Sequence, residues 1–472
     1  MTSFPSIDQS GSTYDCLVVG AGPAGLSAAA TAADLGLSTL LVDEGAAPGG
    51  PMYRNPPDDM PATEAERGRR YVQDLNRSPA HCAAGTTLWW LSRTEDELQP
   101  FVAGLSCGGA SRLISARQVI AATGATERPF PIPGWTLPGA MSGRAAWDAL
   151  DSATFPDGRL VVAGTGPLLY RLLARLRGSG RAVAALLDTT PVSNWRSSAA
   201  HTVGFLRSRY LLRGARLLVR SQAGLTTHRA VRGLRVEGRE RVEAVVGTRR
   251  GADVRVPCDV LVLSQGTVPD LGLSRALGCV HRWDREQLGW IPETDPWFES
   301  SVGGFAVAGD AAGIAGPASA SARGALAALG VAARLGRLQT HERGERAAPI
   351  QAELATADRG RRFVDLLYRP AFHHRVPAPP ETIVCRASGI TVGQVRDAVA
   401  AGAATAAQVE AFLQRDCEGE LCASTIAETV AAENGDVPSA DPGGRSAPCR
   451  PVALGQLASL LPPAAQQGAP PP

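Results

Sequence analysis

Residues 14–44 read YDCLVVGAGPAGLSAAATAADLGLSTLLVDE, and few folds accept that succession of residue types. The apolar run over 16–19 suits a strand buried on both faces. Gly20-Ala21-Gly22-Pro23-Ala24-Gly25 follows, then small residues with hardly a helix breaker before Gly36. A second apolar run over 40–42 ends in Asp43 and Glu44. Strand, glycine turn, helix and strand in this order form a dinucleotide-binding unit. Gly20 permits the tight turn, Gly22 lets backbone approach a pyrophosphate, and Gly25 lets the helix lie close to the strand. The helix start, with Pro23 and Ala24 in its first turn, offers N–H groups and a positive dipole end to phosphates. Asp43 stands where a carboxylate meets a ribose hydroxyl.

The pattern returns at 159–191, RLVVAGTGPLLYRLLARLRGSGRAVAALLDTTP. Gly164, Gly166 and Pro167 repeat the turn, and Asp188 repeats the terminal acid, but Leu169 replaces the third glycine. An internal duplication is expected, with Asp188 favouring a free ribose 2′-hydroxyl and hence NAD over NADP. The alternative is a retained but empty fold.

Two further strand ends fit the first unit. The run 119–124 ends in Ala122-Thr123-Gly124, small enough for backbone to lie against a cofactor. The run 303–313 contains Gly309-Asp310 and leads into a small-residue helix. An aspartate there can accept a hydrogen bond from a ribityl chain, and the helix start can stabilise an anionic ring edge. Gly49-Gly50 suits a loop bent over a ligand, and Arg54 either faces phosphate or flavin or is solvated. The apolar run 259–266 reads as a return to the first domain, 201–220 as an arginine-rich helix followed by a strand over 217–220, and 231–250 as short strands.

The chain contains no lysine, which excludes Schiff-base catalysis and a lysine P-loop. A net charge of +2 gives no reason to expect nucleic acid. The first thirteen residues lack a secretory pattern, and no apolar stretch is long enough to span a membrane, so a cytoplasmic protein is expected. The nine cysteines are then thiols or metal ligands rather than disulfides, and none forms a CxxC pair, which argues against dithiol redox chemistry.

These signals together resemble the flavoproteins with two dinucleotide-binding domains. GGPMYR (49–54), ATERPFPIPGWTLPG (125–139), AGTGPLL (163–169), LGWIPETD (288–295) and AGDAAGIAG (308–316) narrow the resemblance. They look like the flavoprotein subunit of heteromeric amine and amino-acid dehydrogenases: opine oxidase A subunits, hydrogen cyanide synthase B subunits, and hydroxyproline or proline dehydrogenase relatives. The resemblance implies an α/β fold with two Rossmann-like domains, the second inserted in the first, and a small C-terminal helical module. It implies FAD at Gly20, Gly22, Gly25, Asp43, Thr123, Gly124 and Asp310, and a second flavoprotein subunit that oxidises an amine C–N bond. A small ferredoxin-like protein is a further candidate partner.

The expected division is 1–125 and 253–338 for the FAD domain, 126–252 for the inserted NAD-type domain, 339–380 for linker helices, 381–435 for the helical module, and 436–472 for a tail rich in Pro, Gly, Ser and Ala. His373 and His374 are expected to be an exposed pair. In the family the module resembles a [2Fe-2S] carrier with a Cys-x-Cys and a Cys-x4-Cys pair. Here Cys385, Cys417 and Cys422 remain, and Ala387 stands where the second thiolate belongs. Two irons need four terminal ligands. The module is therefore expected to be degenerate, kept for its helices or for docking, with an intact cluster as the alternative.

The leading expectation is one subunit of an FAD-dependent oxidoreductase that works with a partner on an amino acid, opine or secondary amine. No acid–base residue can be assigned in the chain. A self-contained NADH-dependent flavin reductase and a structural subunit with vestigial cofactor sites are the alternatives.

Overall fold

Apolar runs without polar alternation have no face to offer water, and they form the middles of two parallel sheets. The computed structural model describes residues 12–54, 60, 62–415 and 420–435. Its first sheet runs His81–Ala84, Thr39–Asp43, Thr13–Val19, Ala110–Ala121, Phe101–Cys107, Thr87–Arg93. The first four are parallel; Phe101–Cys107 runs antiparallel to Ala110–Ala121, and Thr87–Arg93 antiparallel to Phe101–Cys107. Phe305–Val307 pairs with the far end of Ala110–Ala121, so Val19 and Val307 flank Ala121. The helices Pro23–Asp34 and Pro317–Arg334 cross this sheet in backbone contact: a Cβ on Gly324 would come 2.0 Å from Ala24 O. The Ser27 and Ser321 hydroxyls meet there at 2.6 Å.

The second sheet has five parallel strands in the order Thr227–Arg229, Val183–Asp188, Leu160–Gly164, Val260–Ser264, Ala140–Ser142. Three antiparallel strands, Arg232–Glu237, Ala244–Arg249 and Ala252–Pro257, share its core. This corrects the expected division. Val260–Ser264 lies at the middle of the second sheet, not in the first domain, because an apolar run reports burial without saying in which sheet. The chain leaves along Ala125–Glu127 and returns along Thr267–Pro269, and these two crossings pair with each other. Residues 217–220 are also not a strand; they end the helix Arg209–Gln222.

Beyond the first domain come the helices Thr340–Asp358, Arg361–Leu367 and Phe372–Arg375, then a module of Val392–Ala400, Ala406–Leu413 and Glu420–Glu433. The module closes around Val384, Ile390, Val395, Val409 and Ile426. It is tied to the rest by Trp135 Nε1 donating to Ile383 O (2.8 Å) and by a buried charge triad. Glu428 takes Arg128 at 3.3 Å and also Arg375. Removing that one carboxylate leaves two guanidinium groups facing each other out of water. Glu428→Gln is expected to cost about 3–5 kcal/mol in urea unfolding.

His373 is exposed as expected, but His374 is 2% exposed, edge-on to Phe130 at 5.3 Å. Burial pushes its pKa down from 6.5 to about 3. As pH falls the unfolded chain therefore binds the proton first. Stability is full above pH 6.5 and declines towards pH 3, by about 1.4 kcal/mol per pH unit for this group. His374→Phe is expected to flatten that acid slope in denaturant midpoints measured from neutral to mildly acidic pH.

Candidate functional site

Backbone hydrogen bonds lace four strand ends together. Gly20 N–H donates to Val42 O, Ala122 N–H to Val19 O, and Ala308 N–H to Ala121 O, each at 2.8 Å. At Gly20 φ is +102°, and a Cβ would stand 2.5 Å from Ala122 O; one on Gly25 would stand 1.7 Å from Gly20 O. Both glycines are demanded by the chain itself. Gly22 differs: its φ is −72°, open to any residue, and nothing lies within 4 Å of a Cβ built there. Its lack of a side chain keeps space clear at the N-terminus of Pro23–Asp34, where a pyrophosphate meets unsatisfied N–H groups.

Asp43 is held ready beside it. Oδ2 accepts from Ala21 N–H (2.7 Å), and Oδ1 accepts from Gly45 N–H (2.7 Å) and Arg54 Nη2 (2.8 Å). A carboxylate has about four acceptor positions, so Oδ2 keeps one for a ribose hydroxyl. Arg54, expected to face phosphate, flavin or solvent, instead fixes Asp43 and gives its Nε to Ala47 O at 2.8 Å. Glu44 is exposed. The Gly49-Gly50 turn folds over the fingerprint: Gly49 N–H donates to Ala21 O (2.8 Å), and the Cβ position of Gly50 is 3.0 Å from Gly22 Cα. Thr123 and Gly124 follow Ala122, half-buried. Gly309 presses on Ala24, and Asp310 Oδ1 accepts from Ala315 N–H (2.8 Å) and Gly316 N–H (3.0 Å), shaping the entry to Pro317–Arg334. Among the described residues Oδ2 of Asp310 takes no hydrogen bond. The expected FAD residues thus converge, and the space and donors present fit that cofactor.

Sequence reading missed the groups that seat the second domain on this site. Tyr53 Oη donates to the buried Glu64 (2.8 Å), which also pairs with Arg213 (2.7 Å). Tyr210 Oη donates to Ala315 O (3.1 Å). The contacts of Arg213 and Tyr210 span more than 100 residues and have no local signature.

The repeated unit keeps its turn and loses its opening. Gly164 has φ +140° and would place a Cβ 1.6 Å from Ser264 O; Gly166 caps Pro167–Gly178, and Leu169 is fully buried. Asp188, expected to accept a ribose hydroxyl, is 6% exposed. Its Oδ2 takes the Tyr170 hydroxyl at 2.8 Å and its Oδ1 the Thr190 N–H at 2.9 Å. Tyr368 packs on Tyr170 with ring centres 5.8 Å apart, and Asn194 Nδ2 donates to Leu367 O and Arg369 O. Tyr170, with Tyr368 behind it, covers this acid, so a nicotinamide nucleotide would have to displace the chain's own side chains to reach it.

The metal expectation fares similarly. Cys385 is fully buried, with Ser388 Oγ 2.9 Å from its sulfur, and Cys422 packs against the same core. Cys417 lies outside the described residues, and Ala387 is exposed and brings no donor. Among the described residues no three His, Cys, Asp or Glu side chains gather to hold a metal ion. Among the described residues the donor set falls short of a [2Fe-2S] cluster's four terminal ligands. Burial pushes the Cys16 and Cys82 thiols up to about 12 and Cys258 to about 11, so these stay protonated and inert. No described helix is long and apolar enough to cross a membrane.

The profile of the pyridine nucleotide-disulphide oxidoreductases matches residues 14–333. The chain belongs to this family. Like other pyridine nucleotide-disulphide oxidoreductases it is an FAD-dependent oxidoreductase. It is 37% identical to the opine oxidase A subunit of Rhizobium meliloti, over 95% of this chain and 88% of that protein. It is 27% identical to the HcnB subunit of hydrogen cyanide synthase from Pseudomonas aeruginosa, over 86% of this chain and 90% of that protein. The fold is similar to the crystal structure of L-proline dehydrogenase from P. horikoshii, with a TM-score of 0.67 at 18% identity, covering 94% of this chain and 79% of that one.

The two glycines separate fold from binding. Gly22→Ala is expected to leave the melting temperature unchanged and to weaken FAD at least about tenfold in a fluorescence titration of flavin-free protein. Gly25→Ala is expected to cost about 1–3 kcal/mol of stability, because its Cβ would meet backbone.

Proposed function

We propose that this chain is the FAD-holding electron-relay subunit of a heteromeric dehydrogenase or oxidase acting on the C–N bond of an amino acid, opine or secondary amine. One contrast supports the reading most: Asp43 stands beside an open glycine turn and is held by two backbone N–H groups and Arg54, whereas Asp188 is 6% exposed beneath the Tyr170 hydroxyl, with Tyr368 packed behind. Electrons then enter from a partner rather than from a nicotinamide bound to this chain. When bound, FAD supplies a two-electron carrier. The fingerprint turn would hold its pyrophosphate, Asp43 a ribose hydroxyl and Asp310 the ribityl chain, while the Tyr53–Glu64–Arg213 contacts brace the loop above. No base for amine deprotonation is assigned here, in keeping with oxidation of the amine in the partner. The substrate class follows the names of the relatives, which are subunits of an opine oxidase and of hydrogen cyanide synthase.

Anaerobic bleaching of the flavin band tests this. The isolated chain with millimolar NADH is expected to stay yellow, and the chain with its cognate amine-oxidising subunit is expected to bleach on addition of the amine. Rapid bleaching by NADH alone would make the chain a flavin reductase. A colourless protein that cannot be loaded with FAD would make it a structural subunit.

A further inference from the structure

Residues 189–222 contain no aspartate or glutamate and six arginines, in a chain of net charge +2. The same stretch supplies six of the eleven exposed large apolar side chains among the described residues: Val192, Trp195, Val203, Leu206, Leu212 and Val219, each 56–69% exposed. They stand on or beside the consecutive helices Asn194–Ser198, Thr202–Leu206 and Arg209–Gln222, the first two gathered by Phe363, which meets Trp195 at 6.4 Å and stacks on Phe205 at 4.2 Å.

The last of these helices has two distinct faces. Tyr210 and Arg213 rest on Ala315 and Glu64, in segments that shape the FAD site, and Ser221 is buried. Leu212, Ala215, Arg216 and Val219, spaced three and four apart, form a single exposed face. Exposed apolar surface on this scale, edged by arginine and containing a tryptophan, has the composition of an interface core. Its position one helix thickness from the FAD loops suits a protein that exchanges electrons there.

We propose that the face formed by residues 192–219 seats the amine-oxidising flavoprotein subunit, which meets it with apolar side chains rimmed by carboxylates. This rests on the relay function proposed above. The relatives named as subunits of opine oxidase and hydrogen cyanide synthase are consistent with such a partner.

The test titrates the full FAD-loaded chain with its cognate amine-oxidising partner and follows amine-driven bleaching in the same samples. The double variant Leu212→Glu, Val219→Glu is expected to weaken the complex at least about tenfold and to slow bleaching in proportion, with FAD content and melting temperature unchanged. Added salt is expected to weaken the wild-type complex, and Leu98→Glu, at a 75% exposed leucine of the first domain, to leave it unchanged. If the wild-type chain neither binds that partner nor accepts its electrons, the relay function itself fails. If it does both and the double variant behaves as wild type, only the assignment of this face is overturned. It is equally overturned if the two glutamates alter self-association, or binding to phosphatidylglycerol vesicles, without altering affinity for the partner. ANS fluorescence that rises only after removal of residues 436–472 would assign the face to the chain's own tail and overturn it too.

Discussion

The first domain depends on the absence of a single carbon atom. At Gly25 a side chain would begin 1.7 Å from the carbonyl of Gly20, so helix and strand touch backbone to backbone. The contact is continued outward: Ala24 receives Gly309 on one side and Gly324 on the other, each at a distance only glycine tolerates. Strand end, fingerprint turn, Asp310 loop and the helix Pro317–Arg334 are thereby fixed against one another before any ligand arrives. Pre-set geometry of this kind spares a cofactor the ordering cost that a flexible loop would impose.

The chain's two strand–turn–helix–strand units have met different fates. In the first, small residues line the helix after the turn, space stays open at Gly22, and the terminal acid is held by backbone N–H groups and Arg54. In the second, Tyr170 stands one turn into the helix and its hydroxyl satisfies Asp188, with Tyr368 packed behind it. A ribose would reach Asp188 only by displacing the Tyr170 hydroxyl from a buried carboxylate, at the cost of the phenol's own hydrogen bond. The second unit remains useful as a platform: its helix Arg209–Gln222 reaches the loop after Asp310 and Glu64, the partner of Tyr53.

What could be read from the sequence was what is local. The glycines, Asp43, Thr123 and Asp310 fall within a few residues of strand ends, and their roles follow from spacing. The sealing of Asp188 was nearly legible, since a tyrosine with a polar tip at 170 stands where the first helix has Leu26. The end of Arg209–Gln222 was legible too, because arginines at 209, 213, 216 and 220 keep helical spacing. The sheet that receives Val260–Ser264, the grip of Arg54 on Asp43, the burial of His374 and the pairing of Arg128 with Glu428, 300 residues later, depend on the finished packing. No window along the chain contains them.

The crossings Ala125–Glu127 and Thr267–Pro269 form the waist between the two α/β lobes, and Arg128, just past the waist, is gripped by the C-terminal module through Glu428. Swivelling one lobe against the other would drag that guanidinium away from its carboxylate inside a dry contact. The lobes are thus splinted in one attitude. The relay proposed above would then work from a splinted scaffold rather than from a swinging arm.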